Sequence, residues 1–506
     1  MAAGLESIRA RALGAHVGFL ASPALEGRGL GAAGLEAAAE YVAATLAAAG
    51  VEPFGEERGP DAPASYFQSV PLRALSQISG EIEVTHRDGV RAAGRTFRSG
   101  VDCRFAARPA ETLTAPVVFA GFGIRDEKAG RDDYRGLDVR GKIVLILGGL
   151  PEGEVWKSPE LAERWSPADP AERWDARRET AAALGAAALL AVESDPAVVA
   201  APPDPAVEEG FFRPLERLAA ADPALVRVST AVADELLAAA ALDTARAAGA
   251  APRELPGVTA TLRTTASERP LLARNVVGIL RGSDPLRRDE ALVFGAHFDH
   301  LGRVAGVVHP GADDNASGVA GLLEIARAFA ASGAAPKRSL VFAFWTGEEE
   351  GKLGSGHYVR HPRWPLARTV AYLNFDMIGY PWLSEDVHKL VQERGLPEGE
   401  TFLAGLDLRD FVAPGLPPGS PALESALRGA AAATGLALYL DFTDGLNGGS
   451  DYRDFARAGV PFVRFVDNYG PNYHQSGDTP ERLEAGVVER FARLAFASAW
   501  ALANPD

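Results

Sequence analysis

The sequence predicts an α/β fold, a mostly parallel (mixed) sheet flanked by helices, interrupted by an inserted β-rich α+β segment. Three observations carry that reading. Past residue 265, short continuous apolar runs alternate with helical stretches, as strands buried on both faces do beneath covering helices. Between 76 and 260 the character changes to alternating strands and Pro-rich excursions. Chemically active residues also recur at the ends of the apolar runs, where an open α/β sheet gathers its loops into one crevice.

Residues 4 to 50 read as two helices joined by Leu-Glu-Gly-Arg-Gly-Leu-Gly, the second from about Leu35 to Ala48 with Gly50 as a left-handed cap. The glycines at 27, 29, 31 and 34 do not make a phosphate loop, because no strand leads in and no Lys-Ser/Thr follows. They read as a tight turn. Strands then fit Glu81 to Thr85, Pro116 to Ala120, 141 to 147 and Ala187 to Val192, with a helix around Ala181 to Leu184. The stretches 150 to 176 and 200 to 214 read as surface excursions, and Trp156, Trp165 and Trp174 in the first either line a rim or pack the loop itself. In the last half, strands fit Asn275 to Leu280, Ala291 to Ala296, Leu340 to Trp345, Val370 to Phe375 and Val460 to Val466. Helices fit 316 to 331, 421 to 435 and 482 to 502.

Composition sets outer limits. A chain of 506 residues is too long for one ordinary domain. Its net charge of −16 argues against nucleic acid or an anionic membrane as a partner. The single cysteine, Cys103, allows no intramolecular disulfide and no cysteine-based metal cluster. No apolar run approaches the roughly 18 residues that span a bilayer. The first residues, with Glu6, Arg9 and Arg11, do not resemble a signal peptide, and Met1 could be an added start.

Five blocks carry the chemistry. They hold His297 in Gly-Ala-His-Phe-Asp, Asp314 in Gly-Ala-Asp-Asp-Asn-Ala-Ser-Gly, Glu349 in Thr-Gly-Glu-Glu-Glu-Gly, Asp376 in Asn-Phe-Asp-Met, and His474 in Tyr-His-Gln-Ser-Gly-Asp. Two imidazoles and three carboxylates form the mixed nitrogen and oxygen shell that suits a pair of zinc ions with one bridging carboxylate. Taken singly, His297 could be a core histidine, Asp314 a helix cap and the three glutamates a solvated run. Together they read as a metal site, because unpaired carboxylates gathered in one crevice are costly without cations. Glu348, beside a ligand, has the chemistry of a general base for water. The other histidines, at 16, 86, 300, 309, 357, 361 and 388, fit no block, and a strand-end loop is expected to aim His300 elsewhere.

At these residues the chain resembles the co-catalytic di-zinc aminopeptidases of secreted bacterial type, relatives of glutamate carboxypeptidase and of transferrin receptor. The resemblance is strong over roughly 265 to 480 and looser over the first 75 residues, through Leu-Glu-Gly-Arg-Gly. It implies a zinc-exopeptidase type of fold, with 1–75 and 261–506 forming the catalytic domain. Residues 76–260 would be an inserted protease-associated domain that contributes no ligand and bounds the crevice. It also implies two zinc ions per chain, one held by His297 and Asp376 and the other by Glu349 and His474, with Asp314 bridging. Alignment on Leu-Gly-Ser makes Glu348 the base and Glu349 the ligand, and leaves Glu350 as an extra acid. The resemblance further implies that Asp299 accepts the second N–H of His297, that Tyr473 supports the oxyanion or is merely structural, and that the Asp314–Asn315 peptide is cis.

The substrate so implied is a peptide with a free N-terminus, in a secreted or periplasmic setting. A carboxypeptidase or dipeptidase is the alternative, with Arg464 or Arg453 taking the α-carboxylate. A glutaminyl-cyclase-like transferase and a receptor-like scaffold stand further off, since no ligand is missing. One departure is Ser450-Asp451-Tyr452, where many relatives read Ser-Asp-His. The side-chain pocket is expected within 380 to 450, with a flexible loop from Gly445 to Gly449.

Overall fold

The computed structural model describes the chain except residues 58–63, 89–90, 107–109, 168–172, 194, 196, 198, 200–210, 216–222, 305, 334, 394–406, 447 and 506. Most of the excursion expected over 200 to 214, and part of the pocket region expected over 380 to 450, therefore lie outside the described residues. The chain divides into two compact units, Met1–Val70 with Leu272–Asp506, and Pro71–Leu271.

In the first unit a mixed sheet has the parallel core that the apolar runs predict. The strands Phe462–Phe465, Thr369–Phe375, Ala291–His297 and Ser339–Trp345 lie side by side in that order, all parallel. Residues 276–280 add an antiparallel neighbour to Ser339–Trp345, and Gly415–Leu416 pairs antiparallel at the other edge. Side chains alternate across the sheet. One face packs Val277, Val293, Val341, Trp345 and Tyr372 on Tyr358 and Phe455. The other stacks Phe294 on Phe342 and sets it edge-on to Phe329. Phe329 belongs to the Gly318–Ala331 helix, and it meets Phe496 of the Ala485–Ala503 helix at 4.6 Å. Every residue of Ala291–His297 and Ser339–Trp345 is buried, which is why these runs are continuously apolar rather than alternating.

The N-terminal segment differs from the expected pair of helices. It forms Ala2–Ser7, Ala10–Leu20, a 3-10 turn over Pro23–Arg28, and Ala33–Ala48. The turn contains left-handed Glu26 and Gly27. Gly34 is obligatory at its position, since a Cβ there would lie 1.9 Å from the Leu25 carbonyl oxygen.

In the second unit Ile143–Leu147, Ala188–Val192 and Ala224–Val228 are parallel, Glu111–Phe119 joins Ile143–Leu147 in parallel, and Cys103–Phe105 closes an edge antiparallel. Residues on opposite faces of this sheet enter separate cores. Ile143, Leu145 and Leu190 enter one, while Val144, Ile146 and Leu189 enter the other. Trp156 and Trp165 belong to the first core and Trp174 to the second. Of the two readings open for these tryptophans, packing is the one observed. Trp165 also donates its indole N–H to Asp126 at 2.9 Å.

Candidate metal centre

Four of the five predicted ligands close or follow a strand of the parallel core, and the fifth stands at the start of a helix. His297 closes its strand, Glu348 and Glu349 follow Ser339–Trp345, and Asp376 follows Thr369–Phe375. Asp314 lies in the turn that opens the Gly318–Ala331 helix. His474 comes from the loop after Phe462–Phe465 and adopts a left-handed φ of 55°. Few non-glycine residues hold that conformation unless the surroundings enforce it.

Structure brings all five together. His297 Nε2 lies 3.1 Å from Asp376 Oδ1 and 3.3 Å from Asp314 Oδ1. His474 Nε2 lies 3.2 Å from Asp314 Oδ2 and 3.1 Å from Glu349 Oε2. The two oxygens of Asp314 thus face different imidazoles, which is the disposition a bridging carboxylate needs. Ligand atoms of His297, Asp314 and Glu349 all fall within 4.8 Å of one another. Asp313 turns the other way, accepting from the Gly379 amide at 2.8 Å, so Asp314 is the residue of the pair that meets the imidazoles. The Asp314–Asn315 peptide is cis, as the resemblance implies. Asn315 fastens it, donating to the Phe375 carbonyl at 2.9 Å and accepting from the Gly318 and Met377 amides.

Electrostatics suit a cation. Burial raises the carboxylate of Asp314, yet His300, His297 and His474 outweigh it and hold this group well below the usual range. Glu349 is held at about 2, despite burial and the nearby Asp314, by His300 and His474. The cluster therefore offers ionised carboxylates, and the same carboxylates raise His297 and His474, whose imidazoles would give up a proton on binding a metal. Glu348 behaves differently, because burial pushes it up to about 7 against the pull of Lys352 and His297. A carboxyl that titrates near neutrality can both take up and release a proton there.

Asp299 corrects one detail. Its carboxylate was expected to accept the second N–H of His297, but Oδ1 is 3.8 Å from Nδ1, beyond hydrogen-bond reach. Nδ1 faces the Asp299 backbone carbonyl at 3.3 Å instead. Two backbone amides draw the carboxylate away: Glu348 N–H donates to Oδ1 at 3.2 Å and Glu349 N–H to Oδ2 at 3.3 Å. Asp299 thereby fixes the turn that presents both glutamates. Tyr473 is 39 % exposed, stacks on His474 with centroids 3.9 Å apart, and its phenol is pushed up by burial and by Asp314 and Glu349. It remains an O–H donor.

Four residues escaped the sequence reading. His300 is brought into the cluster rather than aimed elsewhere, with Nδ1 2.7 Å from Glu349 Oε1. Asp478, within the His474 block, accepts the backbone N–H groups of Asp313 and Asp314. Lys352, one residue past the glutamate block, sets Nζ 3.3 Å from Glu348 Oε1. Arg28 is fully buried and donates to the carbonyls of Phe298, Leu20, Pro310 and Gly311. Asp478 and Arg28 sat in segments already singled out, whereas His300 and Lys352 each lay one residue past one.

The chain is similar to several known proteins. It is 31% identical over 233 residues to a Mycobacterium tuberculosis protein named "Probable lipoprotein aminopeptidase LpqL", covering 44% of each chain. It is 33% identical over 195 residues to an aminopeptidase of Pseudomonas aeruginosa, covering 37% of this chain and 30% of that one. The chain thus spans under half the length of either relative. Among solved structures, the aminopeptidase from Aneurinibacillus sp. strain AM-1 shares the fold, with a TM-score of 0.53 and 19% identity across 99% of this chain and 96% of the other. Residues 275–499, which hold all five clustered residues, match Peptidase family M28. That segment of the chain is a peptidase family M28 domain.

Proposed function

We propose that this protein is a two-zinc aminopeptidase that removes the N-terminal residue of peptides. The observation that carries the reading is the division of Asp314, whose Oδ1 and Oδ2 lie 3.3 and 3.2 Å from the Nε2 atoms of two different histidines. His297 and Asp376 would hold one zinc and Glu349 and His474 the other, and the pair would supply Lewis acidity for the scissile carbonyl and lower the pKa of water.

The chain's own residues do the rest. Glu348 takes the proton of the attacking water and passes it to the leaving amine. Asp299 keeps Glu348 and Glu349 in register through their backbone amides. Tyr473 offers its O–H to the oxyanion that develops at the carbonyl. The carboxypeptidase alternative is the weaker one, because Arg464 is engaged with Asp441 at 2.6 Å. We assign 76–260 as a protease-associated domain, on its Gly141-Lys142-Ile143-Val144 and Leu184-Gly185-Ala186-Ala187 segments. An extracytoplasmic location is in keeping with the printed name of the mycobacterial relative, and no described helix is long and apolar enough to cross a membrane.

The test is metal analysis together with paired substrates. Two zinc ions per chain are expected, with cleavage of free aminoacyl-nitroanilides but not of their N-blocked forms. Cleavage of N-blocked peptides at a free C-terminus would overturn the aminopeptidase assignment.

A further inference from the structure

His300 is an imidazole for which the proposed reaction has no assigned use. It lies on the loop leaving the Ala291–His297 strand and is 2 % exposed. Its backbone N–H donates to the Arg28 carbonyl at 3.2 Å. Gly311 packs so tightly on the ring that a Cβ there would lie 2.5 Å from its Cγ, and the φ of Gly311 is +61°. The backbone is thus fixed by Arg28 and the ring by Gly311. It presents Nδ1 at 2.7 Å from Glu349 Oε1 and 3.6 Å from Asp314 Oδ2.

The hydrogen can be placed by exclusion. An ionised carboxylate oxygen only accepts, so a nitrogen 2.7 Å away must carry the hydrogen. Among the described residues, buried Nε2 has no hydrogen-bond partner. Placing the hydrogen there instead would orphan a buried donor and set two lone pairs against each other at Nδ1. The same reasoning disfavours His300 as a ligand, since a metal on Nδ1 would force the hydrogen onto Nε2. Glu349 then has its two oxygens divided, with Oε1 toward His300 and Oε2 at 3.1 Å from His474 Nε2.

We infer that His300 is a positioning residue for the metal centre: its Nδ1–H holds Glu349 Oε1 and leaves Oε2 alone to face the position shared with His474 and Asp314. Resting on the two-zinc reading, the inference makes His300 specific to one of the two positions. Hydrogen bonds that orient a ligating carboxylate typically contribute 10- to 100-fold to metal affinity.

His300→Ala and His300→Asn separate the donor from the bulk of the ring, because the Asn amide nitrogen can stand in for Nδ1–H. Zinc affinity and stoichiometry are read by chelator competition on the full chain, with thermal unfolding of stripped protein as the check on folding. His300→Ala should bind one zinc as the unaltered chain does and the second about 10- to 100-fold more weakly, while His300→Asn recovers most of that loss. Two zinc ions bound by His300→Ala at unaltered affinity would overturn the inference and leave the two-zinc reading standing. Equal weakening in both variants would also overturn it, pointing to a ligand or a packing role. An unaltered chain that takes up only one zinc overturns the two-zinc reading, and this inference with it.

Discussion

Lys352 Nζ lies 3.3 Å from Glu348 Oε1, with both side chains about one-tenth exposed. The turn between them makes this approach possible. Lys352 N–H donates back to the Glu348 carbonyl at 2.8 Å, and Lys352 itself sits at a left-handed φ of 64° just before the Leu353–Arg360 helix. An ammonium against one oxygen of the base leaves the other for water. Lys352→Met should therefore lower kcat about tenfold, as the loss of about 1.4 kcal/mol of ion-pair stabilisation would, with zinc content unchanged. Unaltered kcat in a fully metallated variant would count against that role.

Glu348→Gln and Glu349→Gln should fail in different ways. The first keeps the shape of the site and loses the proton carrier, so turnover falls about 10²- to 10⁴-fold while both zinc ions stay. The second removes a carboxylate that meets His474, so one zinc is lost. Metal analysis distinguishes them, and the reverse pattern would place the base and the ligand in the opposite register.

Acid stability should depend on Glu324, on the Gly318–Ala331 helix. Burial raises this carboxyl, but His16 at 3.5 Å and Arg327 at 2.6 Å outweigh it and hold it at about 2. A carboxyl lowered on folding stabilises above its unfolded pKa, near 4.3. That contribution is lost as pH falls through the folded value. The difference in unfolding free energy between the unaltered chain and Glu324→Gln should be about 1–2 kcal/mol at neutral pH, after allowing for screening, and should narrow from about pH 4.5 down to pH 2. A gap that stays constant across that window would show that Glu324 acts through packing alone.

Gly295 sits mid-strand, two residues before His297. A Cβ there would lie 2.1 Å from the Tyr372 hydroxyl and 2.4 Å from the Trp345 indole nitrogen. Those two groups are already joined at 2.8 Å, and Tyr372 donates onward to Asn374 at 2.9 Å. Gly295→Ala should cost at least about 1–3 kcal/mol by overpacking, seen as a lower urea midpoint. An unchanged midpoint would mean that the network yields more readily than its packing suggests.

The strands were legible because burial on both faces leaves a continuous apolar run, and the five clustered residues because each lies in a recognisable block. His300 was not. Its orientation depends on a loop past the strand end, where no periodicity constrains a side chain. That loop is set instead by Arg28 and Gly27, whose carbonyls accept from the backbone N–H groups of His300 and Gly302. The role of Asp299 was misjudged for a related reason. Sequence spacing placed its carboxylate near His297, but competition from two amides of a turn beyond residue 345 is a tertiary effect. The tryptophans of the second unit lacked any helical or strand period, so only the structure decides between rim and core.

The buried guanidinium of Arg28 has a consequence for how this protein can be recombined. Its four carbonyl partners come from the end of the Ala10–Leu20 helix and from both ends of the loop between His297 and Asp314. Heredity in this catalytic half is therefore discontinuous. A chimera that imports residues 275–499 from a distant relative, but keeps its own first thirty residues, would mate a rigid five-donor fork to carbonyls shaped by another lineage. Successful exchanges should carry the Leu-Glu-Gly-Arg-Gly segment together with the ligand-bearing half, as one unit of inheritance split across the chain.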